Sequence, residues 1–138
     1  CHGVADPGNL GTILRSAEAA GFDAVALTPG SVDPFSPKVV RASAGALFHV
    51  PVLVDVDPTS LGIPLVGTSS HHGVAYTEAD LSGPMALVVG NEAHGVPEDL
   101  SVDQWVSIPH AGRSESLNAA MATTVLLFES LRQRRAAT

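Results

Sequence analysis

Four short apolar runs, rich in Val, Leu and Ala and bounded by Gly or Pro, recur along the chain of 138 residues. They span residues 24–28, 64–68, 86–89 and 106–108. They lack the alternation of apolar and polar residues that marks a strand with one face in water, so they predict strands buried on both faces. Helical patterns separate them. This order predicts an α/β fold, with a mainly parallel sheet and helices on both of its faces.

The first helical pattern follows a turn that contains Pro and Gly. The helix is predicted to begin with Asn9 as its N-cap, because an Asn side chain accepts hydrogen bonds from the first turn of a helix. Its apolar residues recur at the spacing of one helix face, and they are Leu10, Ile13, Leu14 and Ala17. Arg15 is expected to point away from that face.

The last helix, predicted from Leu117 to about Arg134, carries more apolar residues than one core face requires. A stripe along it consists of Leu117, Met121, Thr124, Phe128 and Leu131, and residues 125–127 widen that stripe. Burial on two sides, by the sheet and by a second copy of the chain, would account for such a band. The pattern therefore predicts a homodimer with the first and last helices at its interface.

Size and composition narrow the class of protein. A chain of 138 residues with 45% hydrophobic content fills one core and is too short for two ordinary domains. Cys1 is the only cysteine, which excludes an internal disulfide and favours a reducing, cytoplasmic setting. No apolar run approaches the ~20 residues that span a bilayer, so we expect no contact with membranes.

The charge of the chain opposes a broad nucleic-acid surface. The formal net charge is −7, whereas Lys and Arg supply most of the non-specific affinity for phosphate backbones. The seven basic residues are unevenly distributed, however, and four of them, Arg15, Lys38, Arg41 and Arg113, lie in or beside predicted loops. A small local basic patch is therefore compatible with the sequence.

The six histidines do not predict a metal site. No His-x-x-x-His, Cys-x-x-Cys or His/carboxylate spacing that would set tetrahedral coordination occurs. We therefore expect no metal cofactor.

Three segments each place a Gly- or Asn-containing turn beside a predicted strand or helix. Such turns lie where ligands bind in parallel α/β sheets, beyond the carboxyl ends of the strands. The first segment has the pattern Asn-x-Gly-x-x-x-Arg over residues 9–15, the second reads Gly-Asn-Glu over 90–92, and the third reads Ser-Leu-Asn over 116–118. The third opens the last helix, whose first turn offers unpaired N–H groups and the positive end of the helix dipole.

Together, and in this order, the three segments resemble the motifs of the SpoU/TrmH family of SPOUT RNA ribose 2′-O-methyltransferases. The resemblance implies a deep C-terminal trefoil knot, a homodimer, S-adenosylmethionine as cofactor and RNA as substrate. We favour ribosomal over transfer RNA. The resemblance covers nearly the whole catalytic domain, so residues 1–138 are expected to form that domain, with its first strand truncated and an upstream RNA-recognition domain absent. The stretch between Val56 and Pro64 leaves little room for the helix usual there.

The resemblance also implies roles for individual residues. The expected catalytic residues are Arg15, Asn9, Glu92, Ser116 and Asn118. The expected cofactor-binding residues, in the loops around the cofactor, are Thr68, Gly90, Asn91, Ile108, Leu117 and Asn118. Of the expected RNA contacts, Arg15 follows from the resemblance, whereas Arg41 and Arg113 are proposed because they are basic residues in or beside predicted loops.

Each role has a plainer alternative. Arg15 would by default be a surface residue paired with Glu18; if it is catalytic, a clamp on phosphate is favoured over a base, because guanidinium stays protonated. Asn9, Ser116 and Asn118 are also common helix caps. Glu92 is either a solvated carboxylate or, as the resemblance implies, a hydrogen-bond acceptor that holds its loop.

Two other functions compete with RNA methylation. A non-catalytic RNA-binding or dimerisation module would keep the fold and lose the activity, but the motif residues are intact. A dinucleotide-dependent oxidoreductase is disfavoured, because no Gly-x-Gly-x-x-Gly follows a strand.

Overall fold

The predicted buried strands are present and pair with their neighbours in parallel. The computed structural model describes residues 1–138. The strands are β1 (Val25–Ala26), β2 (Val52–Leu53), β3 (Leu65–Thr68), β4 (Val74–Ala75), β5 (Ala86–Val88) and β6 (Gln104–Ser107). The α-helices are α1 (Pro7–Ala19), α2 (Pro37–Ala42) and α3 (Ala119–Ala136), and 3₁₀ helices occupy Ala46–Phe48 and Pro58–Ser60. None of these helices combines the length and apolarity that a bilayer crossing requires.

The strands pair in the orders β1-β2 and β4-β6-β3-β5, and every pair is parallel. The first residues of the chain lie between these two groups. The N–H of His2 donates to the carbonyl of Val89 at 2.7 Å, and the N–H of Thr28 donates to the carbonyl of Cys1 at 3.0 Å. The opening segment thus bridges β1 and the end of β5, which unites the two groups of strands.

Both faces of the central strands are buried. Val66 and Val106 pack with Leu126 of α3 on one face. Leu65 and Val88 pack on the opposite face against residues of the 3₁₀ turn and of the loop after β5, which include Leu61, Val96 and Leu100. Neighbouring residues of one strand therefore enter different apolar clusters, which explains why the sequence shows continuous apolar runs.

The N-cap of helix α1 lies three residues earlier than predicted. Its N-cap is Asp6, whose carboxylate accepts a hydrogen bond from the N–H of Asn9 at 2.9 Å. Pro7 occupies the first helical position, where its missing N–H removes no helical hydrogen bond. The prediction that Asn9 caps the helix is wrong, and the Asn9 side chain is left free for other contacts.

Helix α3 begins two residues later than predicted, and Asn118 is its N-cap. The buried side consists of Ala120, Thr123, Leu126, Leu127 and Ser130. The predicted stripe lies largely on the other side, where the exposed fraction is 63% for Met121 and 43% for Phe128. The helix therefore has one side in the core and a second apolar side at the surface.

Helices α1 and α2 approach each other closely at Gly11. A Cβ atom on Gly11 would lie 2.4 Å from the Cβ of Ala42 and 2.8 Å from the backbone N of Ser43. Only glycine permits this separation, so Gly11 fixes the distance between the two helices.

A single 3₁₀ turn, Pro58–Ser60, connects β2 to β3, and Asp57 caps it by accepting from the N–H of Thr59 at 3.0 Å. This short turn agrees with the expectation that the stretch leaves little room for a helix.

Candidate functional site

A cavity of about 320 Å³ opens beyond the ends of β3, β5 and β6. This volume lies within the range of small-molecule sites, which extends upward from roughly 300 Å³. Five of the six predicted cofactor residues line it: Thr68, Gly90, Asn91, Ile108 and Leu117. The sixth, Asn118, lies in an adjoining open groove that also contains Glu92, Ser116 and Leu117.

The loop after β5 folds back on itself at Gly90. A Cβ on Gly90 would lie 2.0 Å from the carbonyl carbon of Gly95 and 2.2 Å from the N of Val96. A glycine after a buried strand would also allow the close approach of a flat ligand, because it has no Cβ. The structure gives a different reason, because the returning backbone of the same loop occupies that space.

Asn91 holds this loop through its amide. Its Nδ2 donates to the carbonyl of Gly3 at 2.9 Å, and its Oδ1 accepts from the N–H groups of Ala93 and His94 at 2.8 and 3.1 Å. Both ends of the amide are therefore engaged by backbone groups. Asn91 shapes the cavity wall and ties it to the first residues of the chain.

One residue from each motif joins a hydrogen-bonded chain beside the cavity. The Nδ2 of Asn118 donates to the Oδ1 of Asn9 at 3.1 Å, and the Nδ2 of Asn9 donates to the Oε1 of Glu92 at 3.3 Å. The carboxylate of Glu92 also accepts from the N–H groups of Ala5 at 3.2 Å and Asp6 at 3.0 Å. The three motifs thus meet at one place, which their positions in the sequence did not reveal.

These contacts change the acidity of Glu92. Its partial burial alone would raise the pKa of the carboxyl group, but hydrogen bonds from backbone N–H groups, including those of Ala5 and Asp6, and from the Asn9 amide outweigh that effect. The pKa of Glu92 is therefore held below its ordinary value. Of the two alternatives, the structure supports the acceptor that holds its loop.

Asn118 combines a capping role with a place in the site. Its Oδ1 accepts from the N–H groups of Ala120 at 2.9 Å and Met121 at 3.2 Å, while its Nδ2 faces Asn9. Because Asn118 caps α3, the capping alternative for Ser116 is wrong. Ser116 lines both the cavity and the adjoining groove.

The predicted RNA-contacting arginines, Arg15, Arg41 and Arg113, are exposed, and none of them lines the cavity. Arg41 instead lines an open groove beside the start of α1. The alternative that Arg15 pairs with Glu18 is wrong, because Glu18 pairs with the Nδ1 of His49 at 2.7 Å.

No cofactor-binding role was predicted for the side chains of the loop that follows β3, beyond Thr68 at the end of the strand. Ser69, His71 and His72 line the cavity together with Trp105 of β6. The Oγ of Ser69 and the Nδ1 of His72 lie 2.9 Å apart, and the His72 and Trp105 rings are 5.0 Å apart between centroids. The sequence did indicate that this loop belongs to the site, because the loop starts directly after the predicted cofactor residue Thr68. The histidines do not gather into a group of three or more metal-ligating side chains.

Comparison with known proteins gives consistent matches over nearly the whole chain. Residues 1–128 match the SpoU rRNA Methylase family. The chain is 41% identical over 133 residues to the 23S rRNA (guanosine(2553)-2'-O)-methyltransferase RlmP of Bacillus subtilis (strain 168), a match that covers 91% of this chain and 54% of that protein. It is 38% identical over 142 residues to the 23S rRNA (uridine(2479)-2'-O)-methyltransferase of Streptomyces viridochromogenes, with coverages of 93% and 50%.

The fold matches as well. The SpoU methyltransferase AviRb from Streptomyces viridochromogenes, in complex with the cofactor AdoMet, superposes with a TM-score of 0.89 and 36% identity, covering 98% of this chain and 56% of AviRb. This match confirms the predicted parallel-sheet α/β fold. The chain spans about half the length of the curated relatives it matches. From the three joined motifs and the family match over residues 1–128, the chain belongs to the SpoU rRNA methylase family.

Proposed function

We propose that the protein is an S-adenosylmethionine-dependent RNA methyltransferase that modifies a ribose 2′-OH, and that ribosomal RNA is its substrate. The main support for this proposal is the hydrogen-bonded chain of Asn118, Asn9 and Glu92, which joins the three motifs beside the cavity. The names of two relatives, both 23S rRNA 2′-O-methyltransferases, support the choice of substrate.

The cavity suits the cofactor in size and chemistry. Apolar side chains such as Ile108 and Leu117 stand beside the backbone of Gly90 and the end of β3 at Thr68, a combination that binds a flat heterocycle through its faces and polar edges. These four residues would hold the cofactor. When bound, S-adenosylmethionine supplies an activated methyl group together with its own leaving group.

The protein's contribution is alignment. An in-line displacement requires the ribose oxygen and the methyl group to be held in one geometry, and a small misplacement is costly in rate. Asn9 links the start of α1 to both cavity loops, through Glu92 on one side and Asn118 on the other. In this proposal, the hydrogen-bonded chain fixes α1, which carries Arg15, relative to the cavity.

Arg15 acts as a clamp in this proposal. A guanidinium group stays protonated in proteins and so does not serve as a base. It therefore binds RNA phosphate and stabilises negative charge that develops on the 2′-oxygen. Arg41 and Arg113 are further RNA contacts.

We also infer that the protein works as a homodimer. The outer side of α3 exposes Met121 and Phe128, and Leu117 at the start of the helix is 40% exposed. A second copy packing its own α3 or α1 on this face would remove the exposed apolar area from water. Residues 1–138 form the catalytic domain in this proposal, and its setting is the cytoplasm.

Calorimetry with S-adenosylhomocysteine and NAD tests the cofactor assignment on the protein itself. We expect saturable binding of S-adenosylhomocysteine and none of NAD. The opposite result would refute the assignment.

Transfer of a radiolabelled methyl group from S-adenosylmethionine to unmethylated ribosomal RNA, at low salt, tests the reaction. After alkaline hydrolysis, a 2′-O-methylated nucleotide leaves the label in dinucleotides, because the adjacent phosphodiester cannot be cleaved. Label in methylated bases would contradict ribose methylation. Cofactor binding without any transfer would favour the non-catalytic module.

A further inference from the structure

Two cations line an open groove beside the start of α1. The groove has a volume of about 520 Å³, and Lys38 and Arg41 of α2 face Asp6, Pro7 and Gly8 across it. Asp6 and Pro7 also line the larger groove of about 600 Å³ that contains Asn9 and the loop before α3. The two grooves therefore form one continuous surface, which leads from Lys38 and Arg41 to the mouth of the cofactor cavity.

Both cations are available to a ligand. Lys38 and Arg41 are exposed, and neither belongs to the ion pairs of the chain, which join His49 to Glu18 and Arg132 to Glu129. Lys38 and Arg41 therefore form a pair of free cations three residues apart on one helix, in a protein whose net charge is −7. The only carboxylate in the groove, that of Asp6, is already engaged by the N–H of Asn9.

The position of these cations is fixed by packing. Gly11 of α1 lies against Ala42 and Ser43 at the end of α2, where a Cβ would not fit. Ser43 is fully buried, and its hydroxyl donates to the carbonyl of Val40 at 2.9 Å. Helix α2 is therefore held rigidly against the helix that carries Asn9 and Arg15.

We propose that this groove carries the RNA strand on one side of the target nucleotide, with Lys38 and Arg41 each contacting one phosphate. The inference rests on the proposed function, since the strand must leave the cavity mouth over an adjoining surface. A single strand fits this path best, because recognition of RNA by proteins usually addresses unpaired nucleotides whose sugars and bases are accessible.

The salt dependence of RNA binding tests the proposal. The full chain, its Lys38→Ala/Arg41→Ala variant and a control variant, Arg132→Ala/Arg135→Ala, would be titrated with a fluorescently labelled oligouridylate at several salt concentrations. The control removes the same charge from exposed positions on α3. Each phosphate contact on a single strand contributes about 0.7 to the slope of log K against log salt. We therefore expect the slope to fall by about 1.4 in the groove variant and to stay unchanged in the control.

Several outcomes would overturn the proposal. Equal slopes in the groove variant and the wild type, or equal losses in both variants, would show that the groove holds no phosphate. A change in sedimenting mass with unchanged RNA binding would identify the groove as a protein interface instead. Photocrosslinking of 4-thiouridine RNA to the wild type gives a second measurement, in which crosslinks that all lie outside residues 35–42 contradict the proposed path.

Calorimetry with S-adenosylhomocysteine separates this proposal from the proposed function. Normal cofactor binding by all three proteins also shows that the variants are folded. Failure of the wild type to bind the cofactor would contradict the methyltransferase assignment, whereas the slopes would still report on the groove.

Discussion

Asn9 is the residue at which the three motifs meet. Its neighbours determine the orientation of its amide: the carboxylate of Glu92 only accepts hydrogen bonds, and the Oδ1 of Asn118 is occupied by the first N–H groups of α3. The Nδ2 of Asn9 must therefore face Glu92, and its Oδ1 must face Asn118. The amide of Asn9 suits this position because it is a short group that donates from its nitrogen and accepts at its oxygen.

We predict that Asn9→Asp keeps the bond from Asn118 and replaces the bond to Glu92 with repulsion between two carboxylates. Turnover should fall by about 10²-fold, the scale expected for a misplaced reacting group, while the affinity for S-adenosylhomocysteine changes little. Single-turnover kinetics and calorimetry measure the two effects. Ala19→Asp, which adds the same charge to an exposed position of α1, is the control. Equal rates in the two variants would contradict the prediction.

Arg15→Ala should abolish methyl transfer and leave cofactor binding unchanged, because Arg15 is exposed and does not line the cavity. The loss should appear in kcat/KM for RNA, as expected for a group that contacts the transition state and the phosphate. Arg15→Lys keeps the charge but not the bidentate geometry, and should retain only part of the activity. A near wild-type rate for Arg15→Ala would identify Arg15 as a plain surface residue.

Glu92→Gln should destabilise the fold in a pH-dependent way. The pKa of Glu92 is lowered in the folded state, so its stabilising effect is fully present above the ordinary value of 4.5 and is lost as the pH falls through the lowered value. We expect the variant to be about 1 kcal/mol less stable at pH 7, since the hydrogen bonds to this charged group are partly exposed. Urea unfolding should show that difference shrinking in acid. A difference that stays constant with pH would contradict the assignment.

At the scale of elements, α3 serves both the core and the surface. Asn118 fixes its start, its buried side contacts the sheet and α1, and its outer side exposes Met121 and Phe128. The hydroxyls of Ser16 in α1 and Thr124 in α3 lie 2.6 Å apart, which ties the two helices together within one chain. Substitutions on the two sides should therefore have different consequences.

Phe128→Glu should yield a folded monomer, because a charge on the outer side opposes burial against a second copy but does not enter the core. Leu126→Glu, whose side chain is buried, should instead prevent folding and serves as the comparison. Sedimentation equilibrium measures the mass. A wild-type protein that stays monomeric at tens of micromolar, a concentration well above the Kd of a stable dimer, would refute the homodimer.

The sequence predicted the strands and helices whose apolar residues follow a clear pattern. Strands β1, β3 and β5 lie within the predicted apolar runs and β6 overlaps one of them, whereas β2 and β4 contain two residues each and have no detectable period. The start of α1 was misplaced because Asp6 and Asn9 are both good caps. Pro7 was the signal that favoured Asp6, since proline prefers the first helical position.

The sequence identified residues of the site but not the contacts between them. The motifs identified the loops that line the cavity, but spacing along the chain could not show that Asn9 contacts both Glu92 and Asn118. Nor could it show that Gly90 accommodates its own loop, because this depends on the path of residues 93–96 in three dimensions. The trefoil knot implied by the family resemblance stays a prediction.

For the whole molecule, the net charge and the local positive charge have opposite effects on the binding of RNA. The overall charge of −7 repels RNA, whereas Lys38 and Arg41 are proposed to attract it in the groove beside the start of α1. Long-range repulsion and counterion release both depend on ionic strength.

We predict that this chain binds RNA weakly at physiological salt and methylates it poorly there, with both properties improving as salt is lowered. Methyl transfer to ribosomal RNA across a salt series measures the effect, and S-adenosylhomocysteine binding, which involves no RNA, is the control. Transfer rates that do not respond to salt would show that electrostatics does not limit the encounter.

The hydrogen-bonded chain of the three motifs also has a consequence for folding. Asn118 and Asn9 are separated by 109 positions, and Asn9 and Glu92 by 83, so these bonds close some of the longest loops that the chain can form. Loop closure of this kind is slow, and local helices form long before it. During synthesis or refolding, the chain therefore gains most of its secondary structure before it can hold a cofactor, and the ability to bind appears only when the two ends of the chain have come together.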